Sequence, residues 1–96
     1  MIRIKRVFEA AAPEDGRRFL VDRLWPRGMS KAALKTDNWY RDVAPSDALR
    51  RWFSHSPEKW PKFRKRYRAE LDVNPGACAA ILEVARHEDV TLLYAA

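Results

Sequence analysis

Cysteine is nearly absent from this chain. Cys78 stands alone, so no internal disulfide can form. Glycine is scarce, and the three present are wrongly spaced for a loop that cradles phosphate. The two histidines, His55 and His87, lie far apart, and neither has metal-ligand spacing to another histidine or to the cysteine. No metal and no cofactor is therefore expected. No apolar window approaches the length that crosses a bilayer. The opening stretch MIRIKRVFEA alternates apolar and basic residues and lacks the apolar core and cleavage site of a secretory leader. There is no nucleophile-elbow pattern, no internal repeat, no low-complexity tract and no linker. These absences exclude a disulfide scaffold, a membrane span and a repeat array. They leave a single domain over residues 1–96, with the cytoplasm as the simplest location.

What is present is an apolar fraction of 47%, a charged fraction of 33% and a net charge of +6. The balance is that of a globular chain with a thin core. Its sign favours anionic partners such as phosphates, carboxylates or nucleic acid.

Ile2, Ile4 and Phe8 alternate with Arg3, Lys5 and Val7 and predict a first strand; Pro13 and Asp15-Gly16 mark a turn. Residues 18–24 form a second strand, whose consecutive apolar residues imply burial on both faces, as in a parallel sheet. Ser30 and Ser46 read as helix caps, and the stretch DNWYRDVA between them as further helical turns. Ser56 reads as the cap of another helix, with Pro57 at its first position and the regular part starting nearer Pro61. In it Trp60, Phe63, Tyr67 and Leu71 make one apolar stripe. Asn74-Pro75 starts a last helix, with Cys78, Ile81, Leu82 and Ala85 on one face, and VTLLYAA is a third strand. The expected fold is α/β, with a small, largely parallel three-stranded sheet and several helices packed on it. Because the chain stops directly after a buried-looking strand, at Ala96, a C-terminal segment is expected to be missing.

The segment VDRLWPRG, residues 21–28, is the first candidate site. At the carboxyl end of a central strand it would lie where open α/β sheets bind ligands. Arg23 and Arg27 suit bidentate recognition of phosphate or carboxylate, with Asp22 orienting them and Trp25 as a wall. Tyr94, near the end of the third strand, could project into the same pocket, although a core tyrosine is the plainer reading. Asp22 is the one acid or base within the motif, and pairing with arginine would make it a poor base. Structural pairing of Asp22 with Arg23, and simple packing of Trp25, compete with this reading.

The second candidate is KWPKFRKRYR, residues 59–68, where basic residues interleave with aromatics as on a nucleic-acid surface. The helical spacing places Trp60, Phe63 and Tyr67 in the core. Lys62, Lys65 and Arg66 are then expected on a solvated face.

VDRLWPRG, with IKRV before it, APSDALRRWF and FRKRYRAEL in the middle and VTLLYAA at the end, resembles the domain-of-unknown-function 488 family in its short YeaO-like branch. The resemblance runs from residue 2 to residue 96 and implies a compact α/β domain with no established biochemical function. It carries motif positions Asp22, Arg23, Trp25, Pro26, Arg27 and Gly28, then Pro45, Ser46, Leu49 and Arg50, with Phe63, Tyr67 and Leu71 as core. It also implies that members continue past the final strand with a lysine, an Asn- or His-rich segment and a closing helix. Three functional expectations result. The first is a pocket for a small anionic ligand. The second is a nucleic-acid module using Lys62, Lys65, Arg66 and the motif arginines. The third is a protein-interaction domain without catalysis. Oligomeric state stays open.

Overall fold

Four parallel strands form one sheet. The computed structural model describes residues 1–95, apart from the side chain of Ala77; Ala96 and the expected end of the chain there lie outside the described residues. The strands are β1 (Ile2–Arg6), β2 (Arg17–Leu20), β3 (Asn38–Trp39) and β4 (Val90–Tyr94), and their order across the sheet is β1-β4-β2-β3. Four helices accompany them: α1 (Lys31–Leu34), α2 (Asp47–Phe53), α3 (Trp60–Val73) and α4 (Pro75–Ala85).

The sheet has four strands, not three. The additional strand, β3, falls within the stretch expected to be helical. Its two residues are too few to show a period. Its position is set by tertiary contacts: the amide of Asp37 donates to the Arg18 carbonyl at 2.7 Å and that of Tyr40 to the Leu20 carbonyl at 2.8 Å. Only Arg41–Val43 of that stretch coils, as a 3₁₀ turn. The second strand is also shorter than residues 18–24. It ends at Leu20, the Val21 amide still reaches the Leu93 carbonyl at 3.1 Å, and the chain then leaves as a loop.

Burial of β2 on both faces is as expected. Leu20 packs with Leu93, Val7 and Leu34 on one side, and Phe19 with Val90 and Ile81 on the other. β1 is an edge strand that pairs with β4 alone and leaves Ile2 and Ile4 exposed, as is Phe8 just beyond it.

Serine caps begin two helices. Ser30 Oγ accepts from the Ala33 amide and Ser46 Oγ from the Leu49 amide, each at 3.1 Å. Ser56, also expected as a cap, makes no side-chain cap bond; Pro57 opens a 3₁₀ turn over Pro57–Lys59, and the regular helix begins at Trp60 with Pro61 in its first turn, where its missing N–H costs nothing. In α4, Ile81 is buried, Cys78 is half-buried, and Leu82 is exposed rather than on the packed face.

A buried ionic cluster lies beneath the sheet. Asp15 and Arg18 are both buried, and their Oδ2 and Nη1 atoms meet at 2.6 Å. Lys5 Nζ donates to Asp15 Oδ1 at 3.1 Å. Arg18 also donates to the carbonyls of Leu34 and Lys35, the orphan acceptors at the end of α1.

Candidate functional site

The loop leaving β2 is folded around Asp22. Its Oδ2 accepts the Ala95 amide at 2.8 Å, and its backbone carbonyl accepts Trp39 Nε1 at 2.7 Å. One residue thus ties together the ends of β2, β4 and β3. The carboxylate serves the backbone of β4 and contacts neither motif arginine among the described residues. The acid that approaches Arg23 is instead Asp47, at 4.0 Å.

Arg23 straps this loop to the segment before α2. Its Nε donates to the Pro45 carbonyl and its Nη2 to the Ala44 carbonyl, each at 3.2 Å. Trp25 is half-buried, donates Nε1 to the Met29 carbonyl at 2.6 Å, and meets Trp39 edge to face at 5.6 Å. Residues 26–29 form a tight turn, with the Met29 amide on the Pro26 carbonyl at 3.3 Å. Gly28 has φ of 80°, as the third position of a type II turn requires. The turn holds Arg27 outward at its corner, where it makes no hydrogen bond or ion pair among the described residues.

Asp22, Arg23, Trp25 and Arg27 lie around one cleft of about 360 Å³, which Ala44, Pro45, Arg50 and Ala95 complete. Arg50, carried over as a motif position, lies at this cleft and pairs with Asp47 at 3.5 Å. Tyr94 does not line it. Side chains alternate along β4, so Leu93 and Ala95 face the cleft side while Tyr94 lies on the other, beside Arg6 at 6.0 Å. Ala95 takes the place expected for Tyr94.

Sequence reasoning missed the support behind the cleft. Glu70 of α3 reaches back to Ser46: Oε1 accepts the Ser46 amide at 2.8 Å and Oε2 its hydroxyl at 2.5 Å. The Tyr67 hydroxyl donates to the Val43 carbonyl. Burial raises its pKa, helped by Cys78 and Glu70, so it stays a donor. These bonds fix the segment that Arg23 grips. Glu70→Ala is expected to lower stability by about 1–3 kcal/mol, since it frees a half-buried amide and hydroxyl from a charged acceptor. Urea unfolding measures the loss.

The nucleic-acid candidates lie elsewhere. Lys62, Lys65 and Arg66 are exposed on α3, and the Arg66 guanidinium stacks on Trp52 at 4.3 Å. Phe63 and Tyr67 are half-buried as members of the apolar stripe. Trp60 is not core, being 49% exposed.

Fold and cleft together define a small parallel α/β domain with an arginine-rimmed groove at its strand ends. A family model described as the inactive DUF488-N3 subclade matches residues 1–96, and the chain belongs to that family. It is 40% identical to the uncharacterised protein YeaO of Escherichia coli over 95 residues, which cover 99% of this chain and 83% of that protein. It is 47% identical to uncharacterised proteins of Mycobacterium tuberculosis and Mycobacterium bovis over 70 residues. That match takes in 73% of this chain and 59% of the mycobacterial proteins' length. No solved structure matches significantly.

Proposed function

We propose that the cleft at the ends of β2 and β4 binds a phosphate or carboxylate group and does not transform it. The observation that carries this reading is the convergence of Arg23, Arg27 and Arg50 on one groove, with Arg27 held at a turn corner and bound to no protein group among the described residues. Arginine in that setting offers a planar fork of donors that matches an anion's oxygens. Trp25, braced by Met29 and Trp39, supplies a rigid apolar wall.

A binding role fits the chemistry better than catalysis. The acid within the cleft, Asp22, has one carboxylate oxygen committed to Ala95. No cysteine, histidine or serine lines the groove among the described residues. The subclade's description as inactive agrees.

Calorimetric titration with inorganic phosphate and a nucleoside monophosphate tests the reading. Arg27→Ala should weaken binding about ten-fold or more, the scale of one charge-assisted bond. Its melting temperature should barely change, because the side chain is exposed. A variant that melts earlier but binds as before would make Arg27 structural and end the proposal.

A further inference from the structure

The positive charge of this protein is unevenly spent. On the sheet side, Arg3, Lys5, Arg17 and Arg18 all have acidic partners. On α3, Lys62, Arg64, Lys65, Arg66 and Arg68 are exposed, and none forms an ion pair among the described residues. Arg64, Lys65 and Arg68 recur at helical spacing and line one shallow depression with Pro61, Ala69 and Asp72. Asp72 is the single acid there, at its far end.

Trp60 stands where this basic face meets the apolar stripe, which explains its half exposure. Its ring stacks nearly parallel on Phe63, at 5.5 Å and 14°. Beside it, Phe53, His55 and Pro57 border a shallow recess of about 380 Å³. His55 reaches the recess from the turn after α2, where Ser54 and His55 both adopt the left-handed conformation, with φ of 46° and 56°. A shallow recess with aromatic walls therefore adjoins, at Trp60–Pro61, the depression lined by cations that form no ion pair among the described residues. That juxtaposition, rather than charge alone, points to a ligand with both a flat ring and a phosphate chain.

We infer that the α2–α3 hairpin binds single-stranded nucleic acid, a base stacking on Trp60 in the Phe53–His55 recess and the following phosphates lying along Arg64, Lys65 and Arg68. Single strands present base faces that a duplex hides, and stacking on an aromatic ring tolerates any base. The surface is separate from the strand-end cleft, so either can fail without the other.

Fluorescence anisotropy with labelled mixed-sequence DNA and RNA 12-mers at 50 mM salt tests the inference. Binding is expected, with a log–log salt slope of about −2 for three phosphates on a single strand. Trp60→Ala should weaken it about ten-fold or more. The double variant Arg64→Ala/Lys65→Ala removes only exposed side chains, so it should fold normally while weakening binding and flattening the slope. Arg27→Ala should bind as the parent does, and the two 12-mers together show whether the sugar matters. The inference is overturned by absence of binding at 50 mM salt, by a preference for duplex, or by base-free polyphosphate binding equally well with Trp60→Ala unaffected. Loss of binding in Arg27→Ala but not in the hairpin variants would overturn it too.

Discussion

Gly16→Ala is expected to cost about 3–5 kcal/mol, the sum of a strained backbone and an overpacked contact. Gly16 has φ of 62°, and a Cβ built there would lie 2.2 Å from the Asp89 carbonyl oxygen and 2.7 Å from its carbon. Those atoms are main chain and cannot turn aside. The same carbonyl accepts the Arg17 amide at 2.9 Å, at the rung where β2 meets β4. A methyl group at this point forces the two central strands apart where they join. Small domains hold about 5–15 kcal/mol in total, so a large share of stability goes with one methyl. Gly28→Ala provides the control. Its φ is also positive, but nothing lies within 4 Å, and about 1–2 kcal/mol is the expected loss. Urea unfolding of the two variants side by side separates the steric cost from the conformational one.

The other large effect is expected at Asp15. Asp15→Asn leaves Arg18 buried without its counter-charge, which costs about 3–5 kcal/mol in measured cases of broken buried pairs. Burial pushes the Asp15 carboxyl pKa up, but the Ala12 amide, Lys5 and Arg18 outweigh it, and the folded value lies below the ordinary one. The unfolded chain therefore binds this proton at a higher pH than the folded one does. The stabilisation is complete above about pH 4, the unfolded value, and is lost as the pH falls through the lower folded value. Stability measured from pH 7 downward should fall on that acid limb in the parent. In Asp15→Asn it should start lower and follow a shallower limb.

Neither residue announces its weight in the sequence. Asp15-Gly16 reads as a turn and is one, but only the position of Asp89, 73 residues later, makes the glycine indispensable. Arg18 sits in a run that otherwise looks like a buried strand. Its partners come from a 3₁₀ turn and from the end of α1, which no local period reveals. The serine caps and the stripe of α3 were legible because they depend on neighbours three and four residues away. The motif at residues 21–28 was legible as lying at a strand end, although residues 21–24, expected within the strand, belong to the loop. The bond from Asp22 to Ala95 was not, because it follows from β4 lying beside β2. Trp60 shows the limit of periodicity. Spacing places it on the apolar stripe, but not how far the facing helix extends to cover it.

The order of strands also governs when this protein can fold. Among the described residues β1 pairs only with β4, Ile2 opposite Val90, so β1 has no partner there until β4 exists. Translation proceeds at about 5–20 residues per second, so β1 and β2 wait several seconds with their inner edges bare. Ile2 and Ile4 are then open to other chains as well, and even the native state leaves Ile4 71% exposed. Nascent chains arrested before residue 90 should remain sensitive to protease and depend on chaperones. Once Val90–Tyr94 emerges, three strands can close in a single step.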